Sequence, residues 1–239
     1  LRELAGNRSA GFCVLESPED NEWLVIYDHG RRIPLMQSGD IPATYDGTAR
    51  FNISNAMHAA CAAYEVSVPV DAIRSALSRF KAGRQQSPGR LNVYDQLPYR
   101  VIVDNAHNPD GLRQLMKFVD RQSPSGRKLI CCAAPGGRQE SMYRDMARAV
   151  CGHFDRYFCN DSIPKGGGGP GHFAPILRDE LLAQGIDEQS VSLAKRGREG
   201  WNEVFAACAP GDLLMLLLAA VEFDDADRFI HTLASKGGV

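Results

Sequence analysis

At 239 residues, and at about 150 residues per domain, the chain is too long for a peptide module and too short for a large multidomain assembly. Apolar residues make up 44 % and charged residues 23 %, close to the globular average, which excludes a disordered, fibrous or collagen-like chain. The formal net charge of -2, with Lys and Arg scattered, leaves no electrostatic footprint for nucleic acid or an anionic membrane surface.

Residues 11–16 and 22–28 read as two short strands joined as a hairpin by the turn-rich Ser17-Pro18-Glu19-Asp20-Asn21. After a polar stretch, 37–48, two helices are predicted. The first, 52–64, carries Ala56, Ala59, Ala60, Ala62 and Ala63, small side chains that allow close backbone approach, and Asn52 suits its cap. The second follows Pro69 and places Ile73, Ala76, Leu77 and Phe80 at helical spacing. The stretch 81–89, with two glycines and Pro88, reads as a linker, giving one domain over 1–85 and another over 86–239.

Beyond it, apolar strands are predicted at 99–103, 128–133, 157–159, 191–193 and 213–217. Amphipathic helices alternate with them, carried by Leu112, Leu115, Met116 and Val119; Met142, Met146 and Val150; Ile176, Leu177 and Leu181; Trp201, Val204 and Phe205; and Phe229, Ile230 and Leu233. Repeated β-α units with near-continuously apolar strands predict an α/β fold, a Rossmann-like, mostly parallel sheet with helices on both faces. The longest apolar run, Leu213 to Val221, has nine residues, short of the roughly 18 a membrane span needs. Seven cysteines, odd in number and without Cys-x-x-Cys spacing, argue against a disulfide scaffold or zinc site and for a reducing cytoplasm, with no metal site expected. The start at Leu1 rather than Met, without a signal-peptide pattern, suggests a processed product or a piece of a longer reading frame.

In an open α/β sheet, ligands bind beyond the carboxyl ends of the strands. The segment Val101-Ile102-Val103-Asp104-Asn105-Ala106-His107-Asn108-Pro109-Asp110 is therefore the most informative. Asn108 and Pro109 read as N-cap and first helical residue, and Asp110 favours the helix dipole. Asp104, Asn105 and His107 are left over: a carboxylate, an amide and an imidazole on one strand-to-helix turn are costly without a ligand or a network.

Asp104-Asn105-Ala106-His107-Asn108-Pro109 resembles the Asp-Tyr-Ala-His-Asn-Pro signature opening the C-terminal domain of the Mur ligase family of ATP-dependent amide ligases. Asn52-Ile53-Ser54-Asn55-Ala56 is similar to the Asn-x-x-Asn-Ala that begins a helix late in the family's central ATPase domain. Pro88-Gly89-Arg90-Leu91-Asn92 resembles the Gly-Arg of the domain junction in the form the cyanophycin synthetase branch carries, as do Ile41-Pro42-Ala43-Thr44-Tyr45-Asp46-Gly47 and Ala209-Pro210-Gly211-Asp212-Leu213.

The resemblance implies a Mur ligase C-terminal domain preceded by the end of the central ATPase domain. It implies ATP and Mg2+ as cofactors, with Asn52 and Asn55 at the adenine, Arg90 reaching the phosphates, and Asp104, with His107 nearby, at the ribose. Arg138 and Lys165 would serve the substrate. ATP would phosphorylate a substrate carboxylate and an amino group would displace the phosphate; in the cyanophycin synthetase branch arginine is joined to aspartate side chains of a polypeptide. A missing N-terminal part of the same ligase would be a partner, and a homo-oligomer stays open.

The sequence departs from this pattern. It contains no Gly-x-x-x-x-Gly-Lys-Ser/Thr phosphate loop, and Lys165-Gly166-Gly167-Gly168-Gly169 is no substitute because its lysine precedes the glycines. The chain alone is accordingly expected to lack ligase activity, and a degenerate, non-catalytic Mur-like module that binds nucleotide, peptide or another subunit is the alternative. Asn105 stands where the family has an aromatic. Pro135-Gly136-Gly137-Arg138 resembles a Pro-Gly-Asp-Arg loop that has lost its Asp, with Arg138 meeting either phosphate or solvent. No Gly-x-Gly-x-x-Gly follows the first strand of the second domain, which counts against a dinucleotide oxidoreductase.

Overall fold

The computed structural model describes residues 11–18, 21–134, 137–161 and 173–236. The chain divides into two compact units, residues 1–82 and 83–239.

In the first unit, β1 (Phe12–Glu16), β2 (Trp23–Asp28) and β3 (Arg31–Gln37) form an antiparallel sheet in that order. The β1–β2 hairpin follows the expectation. β3 is additional: it opens on two exposed arginines and carries Pro34, which an edge strand tolerates because its missing N–H costs no ladder bond in mid-sheet. Helix α1 (Arg50–Glu65) turns Ile53, Ala56, Met57, Ala60, Ala63 and Tyr64 toward Leu24, Ile26, Ile33 and Leu35, a spacing of three and four residues that makes one face. Its N-cap is Ala49, so Asn52 lies inside the first turn and is not the cap. Helix α2 (Val70–Leu77) buries Ile73 and Leu77 in the same core; it ends before Phe80, which stays 41 % exposed.

The second unit is the α/β domain. Its six-stranded sheet has the order β4-β5-β9-β6-β7-β8, where β4 is Asn92–Tyr94, β5 Arg100–Asp104, β6 Lys128–Ala134, β7 Arg156–Asp161, β8 Val191–Leu193 and β9 Leu213–Leu217. Every neighbouring pair is parallel except β4–β5, where Asn92 lies opposite Val103. All five parallel strands fall where apolar runs place them. The short β4, polar at Asn92, escapes that pattern.

Alternation sets the two faces. Val101, Val103, Leu129, Cys131, Leu214 and Leu216 pack under α6 (Gly197–Ala206) and α7 (Phe223–Ser235), through Trp201, Val204, Phe205, Phe223, Phe229 and Ile230. On the opposite face Cys132 and Leu217 meet Leu112, Met146, Leu177 and Leu181, from α3 (Pro109–Asp120), α4 (Glu140–Val150) and α5 (Ala174–Ala183). Helices therefore cover both faces, and the strand ends Asp104, Ala134, Asp161, Leu193 and Leu217 share one carboxyl edge. No described helix is long and apolar enough to cross a membrane.

Candidate functional site

The carboxyl edge gains its shape from a turn at the start of the second unit. In Ser87-Pro88-Gly89-Arg90 the N–H of Arg90 donates to the carbonyl of Ser87 at 3.2 Å, and Gly89 has φ +68°; proline second and a left-handed glycine third are what a type II turn requires. Leu91 follows, also left-handed at φ +50° although it is no glycine, a conformation costing about 1–2 kcal/mol. It is 1 % exposed, so packing and hydrogen bonds must hold it there.

Those bonds come from two buried side chains. Asp104, at the end of β5 and 7 % exposed, accepts the N–H of Leu91 on Oδ2 at 2.7 Å. Asn92, 2 % exposed, accepts the N–H of Gly89 at 2.7 Å and donates from Nδ2 to the carbonyls of Ser87 at 2.9 Å and Arg90 at 3.2 Å. The N–H of Asn105 donates to the Gly89 carbonyl at 2.9 Å. The backbone of Gly89 and Arg90 is thus fully tied, while the Arg90 side chain is exposed and, among the described residues, has no hydrogen-bond or ion-pair partner.

Burial pushes the Asp104 carboxyl up to about 6, against the pull of the Leu91 N–H, the Arg90 charge, the Ala106 N–H and His107. At neutral pH it is mostly ionised and its acceptor capacity is only partly used. His107 is half-buried, and its Nδ1 lies 2.8 Å from the Asn105 carbonyl. A carbonyl can only accept, so Nδ1 is the donor in this contact, and in the neutral ring Nε2 is then an acceptor. Asn108 caps α3 as its sequence suggests, accepting the Gly111 N–H at 2.8 Å ahead of Pro109.

Arg138 stands two residues before α4, exposed, with its N–H on the Tyr143 hydroxyl at 3.2 Å. With Pro109, Gln139, Met142 and Asp145 it lines a cleft of about 310 Å³ between the starts of α3 and α4. At the end of β7, Asp161 Oδ1 accepts the N–H groups of Phe173 at 3.1 Å and Ala174 at 2.8 Å, so this buried carboxylate caps α5. Lys165 to Gly169, and Pro135 and Gly136 of the loop before Arg138, lie outside the described residues.

The remaining candidates belong to the first unit. Asn52 Nδ2 donates to the Ala43 carbonyl at 2.6 Å, and Asn55 Nδ2 donates to Asn52 Oδ1 at 3.3 Å. Asn52 therefore ties α1 to the preceding turn, and the exposed Asn55 extends the pair. Sequence reasoning brought Arg90, Asp104 and His107 to one edge. It passed over Asn92 as a side chain with work of its own, although an Asn two residues after a Pro-Gly-Arg turn is a signal for a side chain that closes the turn.

The architecture defines a Rossmann-like α/β domain whose carboxyl edge presents the exposed Arg90 near a buried carboxylate, with Arg138 in a cleft between the starts of α3 and α4. The sequence profile of the Mur ligase family, described as the Mur ligase, glutamate ligase domain, matches residues 89–218, and the chain belongs to that family. It is 29 % identical to the cyanophycin synthetase of Crocosphaera subtropica over 165 residues, which cover 69 % of this chain and 19 % of that protein. To the cyanophycin synthetase of Trichormus variabilis it is 35 % identical over 136 residues, 57 % of this chain and 15 % of the relative. The chain thus spans about a fifth or less of these relatives. Among solved structures, E. coli FolC in complex with ADP, without folate substrate, superposes with a TM-score of 0.63 at 17 % identity, over 93 % of this chain and 47 % of that one.

Proposed function

We propose that the chain is part of an ATP-dependent amide ligase of the cyanophycin synthetase type, and that its carboxyl-edge turn holds the nucleotide. The observation that carries this reading is the exposed Arg90 guanidinium on a backbone fully tied down next to Asp104. A planar guanidinium carried on a fixed backbone suits phosphate oxygens, and an ionised carboxylate suits vicinal hydroxyls. In this reading Arg90 meets the phosphates, the free acceptor capacity of Asp104 takes the ribose, and His107 Nε2 offers a further acceptor nearby. Asn52 and Asn55 keep the adenine role within the same proposal, and residues 1–85 are read as the closing part of the family's central ATPase domain.

The reaction would pass through an acyl phosphate. A substrate carboxylate oxygen attacks the γ-phosphorus and ADP leaves; an amine nitrogen then attacks the carbonyl carbon, gives up a proton, and inorganic phosphate leaves as the amide forms. An amino acid such as arginine would be the amine and an aspartate side chain the carboxylate, with Arg138 and Lys165 serving these substrates. Among the described residues no group of three or more His, Cys, Asp or Glu side chains could hold a metal. The Mg2+ of this reading would travel with the phosphates, as that ion commonly does, and no step is assigned to it.

ADP calorimetry on the 239-residue chain tests the reading. The expected outcome is measurable affinity that falls about tenfold in Arg90→Ala, the loss of one charge-assisted phosphate contact. Equal affinity in Arg90→Ala and the unmodified chain would remove Arg90 from the site.

A further inference from the structure

Leu91 is the observation that calls for an explanation beyond nucleotide contact. A non-glycine residue held left-handed is retained only where its surroundings over-determine it, and such positions cluster at ligand clamps. Here the over-determination is visible: Asn92 spans Ser87, Gly89 and Arg90 with three hydrogen bonds while Asp104 takes the Leu91 N–H. None of these bonds reaches a substrate. Their common effect is to fix the backbone on either side of the exposed Arg90 side chain.

The segment leading in is fixed as well. Ser87 and Gln86 donate their N–H groups to the Gly83 carbonyl at 2.8 and 3.2 Å, and Arg84 pairs with the buried Asp227 of α7, which also accepts from the Tyr94 hydroxyl at 2.8 Å. The stretch that composition marks as a linker is, from Gly83 onward, a hydrogen-bonded part of the second unit. Phe223 of α7 lies against Gly89, 3.6 Å from where a Cβ would stand.

We propose that Asn92 is a positioning residue of the nucleotide site, whose side chain clasps the Gly89–Leu91 turn so that Arg90 is aimed at the phosphates before the nucleotide arrives. Asn92 touches no nucleotide itself; it acts through Arg90, and the proposal rests on the nucleotide reading of that arginine. Pre-ordering the turn removes the conformational cost that a free arginine would otherwise meet on binding. An amide is the side chain for the task, because the turn demands one acceptor and two donors from the same group.

The test is a double-mutant cycle on the full chain, with ADP and adenosine as separate probes. Asn92→Ala is expected to weaken ADP about tenfold, to leave adenosine within about twofold, and to add nothing in the Arg90→Ala background, as coupled neighbours behave. Equal losses for ADP and adenosine, an undiminished ADP affinity, or a loss that simply adds to that of Arg90→Ala would overturn the proposal. Should Asn92→Ala fail to fold, Asn92→Asp keeps the acceptor for Gly89 and removes both donors, and the same comparison applies. If the unmodified chain binds neither probe, the nucleotide reading is what has failed. Amide exchange then decides the clasp: Gly89 and Leu91 exchanging about tenfold faster in the variant supports it, and unchanged exchange refutes it.

Discussion

Two buried aspartates mark the two ends of the same sheet and behave in opposite ways. At the amino end Asp212, 2 % exposed, receives the Arg127 guanidinium at 2.6 Å, the Arg127 N–H at 2.7 Å and the Ala209 N–H at 2.9 Å. Burial pushes its carboxyl up, but the Arg127 side chain and the two N–H groups outweigh this and hold it below the usual carboxylate value. At the carboxyl end Asp104 is also buried, and burial raises its carboxyl to about 6 because the Leu91 N–H, the Arg90 charge, the Ala106 N–H and His107 only partly offset it; Arg90 makes no hydrogen bond to it. One arginine closes a structural knot, and the other is kept available.

That contrast can be broken in order of size. Asp212→Ala should cost about 3 kcal/mol in denaturant unfolding, since it takes the acceptor from two partly buried N–H groups and the partner from the half-exposed Arg127 guanidinium. A loss under about 1 kcal/mol would mean that the amino end is not the structural one.

The pH dependence comes next. Asp104 has a folded-state value above its ordinary one, so its contribution is present below about pH 4 and is lost as the pH rises through about 6. The change is worth about 2–3 kcal/mol. Asp212, with a depressed value, contributes above about pH 4 and loses that contribution as the pH falls. Unfolding free energies between pH 4 and 7 should therefore decline less in Asp104→Asn than in the unmodified chain; parallel profiles would remove the assigned cause.

Gly89→Ala should cost about 1–2 kcal/mol through its φ of +68° rather than through crowding, because Phe223 at 3.6 Å is an ordinary contact. Arg90→Ala should change the melting behaviour least, within about 0.5 kcal/mol, since its guanidinium supports nothing described in the fold. A large stability loss there would make Arg90 structural.

Much of the architecture was legible because burial on both faces leaves an unbroken apolar record, as in Val101-Ile102-Val103 and Leu213–Leu217. The start of α3 was legible because Asn108 and Pro109 act on their own neighbours. β3 was hidden by its leading arginines and Pro34, tolerable only because the strand lies at an edge. The first turn of α1 was misread at Asn52, whose amide reaches back nine residues to Ala43 instead of capping its own helix. Asp104 was legible as chemically unusual, but its bond to Leu91 spans 13 residues and depends on a left-handed backbone that no local pattern records.

The most direct test of the central claim, that the carboxyl edge and not the amino edge receives the nucleotide, is an amide NMR titration of the labelled chain with ADP. Resonances of Gly89, Leu91, Asn92, Asn105 and His107 are predicted to shift together and saturably, while Gly126, Arg127, Ala209 and Asp212 stay in place. Shifts confined to the second set, or absent from the first at saturation, would contradict the account.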